Sequence, residues 1–144
     1  MPGKAFGLMA LKGAKKHSDR LKKLSGAQVI KLAGAIVFEG ADTIRAEAFR
    51  SISAGSVSGA GHVASLPGQP PNRDTGDLQA GIKVVRTGSV SAEVRATAAH
   101  SAPLEFGTST MAARPFMRPA RDKKVKEIRA RFAEQFNKLN KRSG

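Results

Sequence analysis

The chain contains no cysteine, no tryptophan and no tyrosine, and its 11 acidic residues are outnumbered by 25 lysines and arginines. Without thiols it can build neither a disulfide scaffold nor a cysteine-ligated zinc site. Without Trp or Tyr, a stacking platform for single-stranded nucleic acid would rest on phenylalanine alone. No apolar run approaches the roughly 20 residues that a membrane-crossing helix requires, so no membrane is expected among its partners. Residues 1–24 carry lysines but no apolar h-region, which argues against a secretory signal and for a soluble, intracellular protein. What remains is a chain of 144 residues with 35 Leu, Val, Phe, Ile and Met. That is enough for one modest core and one domain.

The net charge of +14 is concentrated at the two ends. Residues 1–24 carry +6 and residues 114–144 carry +8, whereas the three segments between them lie within one charge of neutral. A neutral middle packs without self-repulsion. The basic ends are suited either to phosphates, by counterion release, or to acidic protein surfaces.

Apolar periodicity places two strong helices. Ser25 is a good N-cap and Gln28 completes a capping box. Val29, Ala33, Ile36, Val37, Gly40, Ala41, Ile44, Ala48 and Ile52 then follow at spacings of three and four, predicting a helix to about Ile52. Gly34 and Gly40 weaken such a helix unless another backbone approaches closely. Near the other end, Val125, Ile128, Phe132, Phe136 and Leu139 form a second stripe, with Phe116, Phe132 and Phe136 read as core and Pro115 and Pro119 bracketing the helix start.

Between the helices, Asp74–Leu78 reads as a turn into a short helical piece. Ile82–Arg86 and Val90–Ala96 alternate as the strands of a hairpin around Thr87–Ser89. A third extended piece is expected near Ala102–Phe106, at a sheet edge because of Pro103. The fold class expected is α+β, with both long helices packed on a small antiparallel sheet. Residues 1–24 form a basic arm or frayed helix and residues 25–144 a single domain. Within it, residues 53–75, rich in glycine, serine and proline, form a flexible loop suited to reaching a neighbour.

Catalytic readings find little to rest on. His17, His62 and His100 stand in unrelated contexts without metal-ligand spacing. Gly55, Gly59 and Gly61 follow a helix rather than a strand and lack a GK[ST] sequence, so a phosphate loop is not indicated. There is no GxSxG elbow, and Asp74 with Asp77 reads as turn chemistry. The expectation is a protein that is not an enzyme and that uses no metal and no cofactor.

The most informative residues are Leu104-Glu105-Phe106-Gly107-Thr108 and Met111-Ala112-Ala113-Arg114-Pro115-Phe116-Met117-Arg118-Pro119-Ala120, preceded by Asp74-Thr75-Gly76-Asp77-Leu78. In order and spacing, from about residue 66 to 136, this pattern resembles the gene-product-ten family of tailed phages, the lambdoid HK-type tail-component or neck proteins. Where that family usually has tyrosines before its EFGT, this chain has His100 and Pro103. Glu105 beside Phe106 puts an anion at a sheet edge, either paired with an arginine such as Arg114 or Arg118 from this or a neighbouring subunit, or solvated as a lone edge charge.

The resemblance implies a virion structural protein at the head-to-tail connection of a long-tailed phage, made in the host cytoplasm. It also implies a homo-oligomeric, hexameric ring stacked between head-completion and tail-terminator or tail-tube proteins, with viral DNA passing its lumen. Candidate interface residues are Pro67, Pro70 and Pro71 in the loop, Glu105, Arg114 and Arg118 in the motifs, and Lys123, Lys124 and Lys126 on the last helix. A non-specific nucleic-acid-binding protein is the alternative that the charge supports.

Overall fold

A computed structural model describes residues 14–24, 26–53 and 59–142. The described elements are α1 (Ala14–Leu24), α2 (Ala27–Ser53), a 3-10 turn (Gly59–Gly61), α3 (Asp77–Ala80), β1 (Ile82–Gly88), β2 (Ser91–Ala96), α4 (Ser101–Phe106) and α5 (Met117–Arg142). The α+β class expected from the sequence is the one observed. Ser25, the expected cap of α2, and the first leucines of the basic arm lie outside the described residues. Within that arm, Arg20 of α1 donates to Asn140 of α5 through Nε (3.0 Å) and Nη2 (2.7 Å).

α2 is the central element. Its stripe buries Ile36, Ala41, Ala48 and Ile52, while Lys31, Glu39, Asp42 and Arg50 face solvent. The hairpin covers one flank and α5 the other. Glu39 meets Arg131 and Glu47 meets Lys123, so α5 runs antiparallel to α2. The core gathers Ala48, Ile52, Leu78, Ile82, Phe116 and Ala120. Burying a side chain the size of Phe116, fully enclosed here, contributes about 1.5–3 kcal/mol.

The two helix glycines have different neighbours. At Gly34 a Cβ would collide with the Ser89 carbonyl oxygen at the hairpin tip, the close backbone approach its sequence context calls for. At Gly40 a Cβ would come within 2.8 Å of the Ile128 side chain, so there it is α5 that needs the space. The Arg86 guanidinium lies over the Phe38 ring, 5.0 Å from its centroid, a cation–π contact that also ties the hairpin to α2.

The hairpin is antiparallel, with Ile82 opposite Ala96, Val84 opposite Val94 and Arg86 opposite Ala92. Val90, expected to open the second strand, instead lies half-exposed in the two-residue turn with Ser89. A larger correction concerns Ala102–Phe106: it is helical, so among the described residues the sheet has two strands rather than three. Pro103 falls in the first turn of α4, where a missing N–H breaks no helical bond. Leu104 N–H donates to the His100 carbonyl at 3.1 Å. Ser101 Oγ, buried, donates back to the Ala98 carbonyl at 2.5 Å.

Candidate subunit interface at the start of the last helix

The two sequence motifs meet in space. Glu105, on α4, places both carboxylate oxygens against the first turn of α5. Oε2 accepts the backbone N–H of Phe116 (2.9 Å) and Met117 (3.0 Å), and Oε1 accepts that of Arg118 (2.9 Å). These are donors with no partner inside the helix, at its positive end, where an anion is favoured. The expected pairing of Glu105 with an arginine side chain is therefore replaced by helix capping.

The connection from α4 to α5 is equally fixed. Gly107 has φ 75°, and a Cβ there would lie 2.8 Å from the Met111 carbonyl oxygen and 2.9 Å from Ala113 N, so only glycine fits. Thr108 N–H donates to the Met111 carbonyl (2.8 Å), and Arg114 N–H to that of Leu104 (2.7 Å). Phe116 is driven into the core beneath. Pro119 lies in the first turn of α5.

Arg114 faces away from Glu105. Its Nε donates to the Ser65 carbonyl at 2.9 Å, and Gly68 N–H donates to the Ala113 carbonyl at 2.8 Å. Asn72 Nδ2 donates to the Val63 carbonyl at 2.8 Å, and Pro71 is buried. The second half of the 53–75 loop is thus held by bonds within its own chain. Val63 and Leu66 nevertheless remain 65% and 74% exposed.

Of the nine candidate interface residues, Glu105 and Arg118 line one apolar groove. That groove, of about 710 Å³, has a floor of Val37, Ala41 and Ile44 from α2, one wall from β2 and another from α5. Phe106, 82% exposed, and Arg118 with Arg121 stand at its edge, beside the Glu105 cap. A second hollow, of about 690 Å³, collects Pro70, Lys123, Val63, Leu66, Ser65 and Glu47. Pro71 and Arg114 line the adjoining recess. Lys124 pairs with Glu127 (2.9 Å) on α5 itself, Lys126 is exposed, and Pro67 is exposed at the loop tip.

Glu47 is 5% exposed and bonds Lys123 Nζ through Oε1 at 2.5 Å. That bond, opposed by burial and reinforced by the charges of Lys123 and Arg50, holds its pKa below the ordinary value of 4.5. Its Oε2 and the Ser65 hydroxyl are buried without a hydrogen bond among the described residues; Arg50 approaches Oε2 only to 3.4 Å. The sequence singled out neither Phe106 nor Leu66 as a contact residue. Leu66 carried a usable signal, a lone large apolar side chain in a polar loop just before Pro67. Phe132 and Phe136, expected in the core, are instead 38% and 39% exposed and stack on each other with ring centroids 6.3 Å apart.

Among the described residues no group of three or more His, Cys, Asp or Glu could hold a metal ion. No single described helix is long and apolar enough to cross a membrane. The geometry defines an α+β domain with exposed apolar side chains on both flanks of a two-helix seam. Residues 15–107, from α1 through α4, match the HK97-gp10-like family, described as "Bacteriophage HK97-gp10, putative tail-component". The match spans more than half of the chain, and the protein belongs to that family of phage structural tail components. No curated protein and no solved structure matches it.

Proposed function

We propose that the protein forms a hexameric ring at the head-to-tail connection of a long-tailed phage, joining head-completion to tail-terminator or tail-tube proteins. The observation that carries this reading is the family match across α1 to α4, supported by exposed apolar side chains on opposite flanks of the α2/α5 seam. Such surfaces suit head-to-tail association, which closes into rings. The basic ends meet acidic faces of the adjacent rings, and viral DNA passes the lumen without being held. The protein is accordingly a virion component of the neck, made in the host cytoplasm.

Deleting the gene is expected to yield filled heads and complete tails that fail to join, and labelled protein in purified virions should localise to the neck. Normal infectious particles from the deletion strain would overturn the reading. A second reading, non-specific nucleic-acid binding, draws on the exposed Lys126 and Arg129 of α5 and on the +14 charge. It requires affinity for random duplex that falls steeply with the logarithm of salt concentration.

A further inference from the structure

The hairpin has a strand edge that its own chain leaves unpaired. Thr97 N–H donates to the Gly81 carbonyl at 3.0 Å, so these two residues, next in register after Ile82 with Ala96, form a hydrogen-bonded pair. Such pairs alternate with pairs whose backbone groups point away from the partner strand. Lys83 with Arg95 and Val85 with Glu93 therefore bond across the hairpin, while Ala92, Val94 and Ala96 turn their N–H and carbonyl groups to the outer edge of β2. There Ser101 Oγ lies 3.1 Å from the Ala96 carbonyl oxygen. The backbone groups of Ala92 and Val94 meet no partner among the described residues.

Open strand edges are usually blunted by proline, a bulge or an inward charge, because they pair with any extended chain. The edge of β2 has none of these. It contains no proline, and the register shift lies between Arg86 and Gly88 of β1. Its charges, Glu93 and Arg95, pair with each other at 2.9 Å on the face turned from the groove. Ala92, Val94 and Ala96 form the β2 wall of that groove, over a floor of Val37, Ala41 and Ile44, with α5 as the far wall. An unpaired ladder thus runs along an open apolar recess. α5 stands where a wider sheet would go, so the recess takes one strand, about 4.8 Å from β2, and not the hairpin of a second copy with its own α2 beneath.

We propose that an extended segment of another protein adds to β2 as a third strand and fills this groove. Main-chain bonds to Ala92 and Val94 supply affinity, and side chains at alternate positions supply specificity. Residues that face the floor are apolar, and those that face α5 are acidic. Arg118 and Arg121 share the single carboxylate of Asp122, at 4.0 and 2.7 Å, which leaves one positive charge unmatched. Glu105 cannot match it, being engaged by the N–H groups of the helix start. The same charge excludes occupants from this chain. Residues 1–13 hold lysines and no acid. Residues 63–72 hold three prolines and no acid, and are tied to Arg114 and Ala113. The identity of the donor rests on the neck reading above: the segment belongs to a virion protein of an adjoining ring.

The edge is tested with the full-length chain and two short synthetic peptides, one alternating valine with aspartate and one alternating valine with lysine. In the free protein the Ala92 and Val94 amides should exchange hydrogen readily. The valine–aspartate peptide, at about 1 mM, should slow both about ten-fold or more. The Arg95 amide, already bonded to β1, should change little, and the valine–lysine peptide should protect several-fold less. Ala92→Pro removes one outward N–H without breaking the β1 ladder, as an edge strand permits. It should abolish protection of Val94 while the melting temperature stays within a few degrees of the wild type. Arg118→Glu with Arg121→Glu, at exposed positions, should reverse the preference between the peptides.

The third strand is overturned if neither peptide slows the two amides, or if the Pro and charge-reversed variants bind the peptides as the wild type does. In virions, a photo-cross-linker in place of Phe106, at the groove edge, should link to a segment of another protein in which acidic and apolar residues alternate. Links to a second copy of this chain, or to DNA, would overturn the proposal. Failure of the neck reading looks different. Protein found away from the neck, with both amides still slowed by the valine–aspartate peptide, would leave the strand standing and sink that reading. Protein at the neck whose two amides exchange freely in the particle would sink the strand alone.

Discussion

Glu105 Oε1 lies 2.9 Å from the backbone nitrogen of Arg118, and through this bond and its two companions a residue in the last turn of α4 also caps the start of α5. Replacing Glu105 by Gln keeps the size but turns donors toward N–H groups that need acceptors, and it removes the anion from the helix's positive end. Charge-assisted bonds of this kind are worth about 1.5–3 kcal/mol. Glu105→Gln should lower unfolding free energy by about 1–3 kcal/mol in urea titrations, whereas Glu105→Asp should fall between it and the wild type. A Gln variant as stable as the wild type would mean that the cap contributes nothing.

Gly34 and Gly40 should respond differently to alanine. In an open helix either change would gain up to about 1 kcal/mol. At Gly34 the new methyl meets a carbonyl oxygen of the backbone at the hairpin tip, so Gly34→Ala should be net destabilising by about 1–3 kcal/mol. At Gly40 it meets Ile128 Cγ2 at 2.8 Å, a side chain able to change rotamer, and thermal unfolding should show a smaller loss. Equal melting temperatures for the two variants would contradict the close approach at Ser89.

Arg114→Ala removes the bond to the Ser65 carbonyl while leaving the backbone bond from Arg114 to Leu104 in place. Residues 59–72 should then open more often than the core unfolds, because local stability follows local contacts. Limited proteolysis should cut this loop several-fold faster in the variant, with a melting temperature within a few degrees of the wild type. Unchanged cleavage would show that the loop is held by Gly68 and Asn72 alone.

The pKa of Glu47 is held below 4.5, first by its hydrogen bond from Lys123. A carboxylate with a lower pKa folded than unfolded stabilises the fold above its unfolded value, and the contribution is lost as pH falls through the folded one. The wild type should therefore lose stability below about pH 4.5 more steeply than Glu47→Gln. Denaturant midpoints between neutral pH and pH 3 give the comparison, and parallel curves would rule Glu47 out as a contributor.

The sequence made the periodic parts of the fold legible. An apolar stripe that keeps helical spacing from Val29 to Ile52 has few alternatives, and the alternation of Ile82, Val84, Val94 and Ala96 defines a hairpin in the same way. Ala102–Phe106 was misread because a proline in a short apolar segment suits a strand edge and a helix's first turn equally well. The deciding bonds, from Ser101 to Ala98 and from Glu105 to α5, depend on what lies nearby in space. The candidate interface was half visible for the same reason. Arg118 and Lys123 stand out as charges, but that they lie on opposite flanks of one seam follows only once α2 and α5 are packed. Phe132 and Phe136 have core spacing, yet they stack on each other and remain 38% and 39% exposed.

The bond from Arg20 to Asn140 brings α1 and the end of α5, 120 positions apart, to one pole. The groove lies toward the opposite pole, along the first half of α5. The molecule therefore answers to two solution variables. Ionic strength governs what approaches the α1 pole, since screening acts within about 10 Å at 0.1 M salt. Excluded solutes such as sulfate strengthen burial at the groove. Because Arg118 and Arg121 line the groove as well, salt acts at both places, whereas an excluded solute acts mainly on the apolar one.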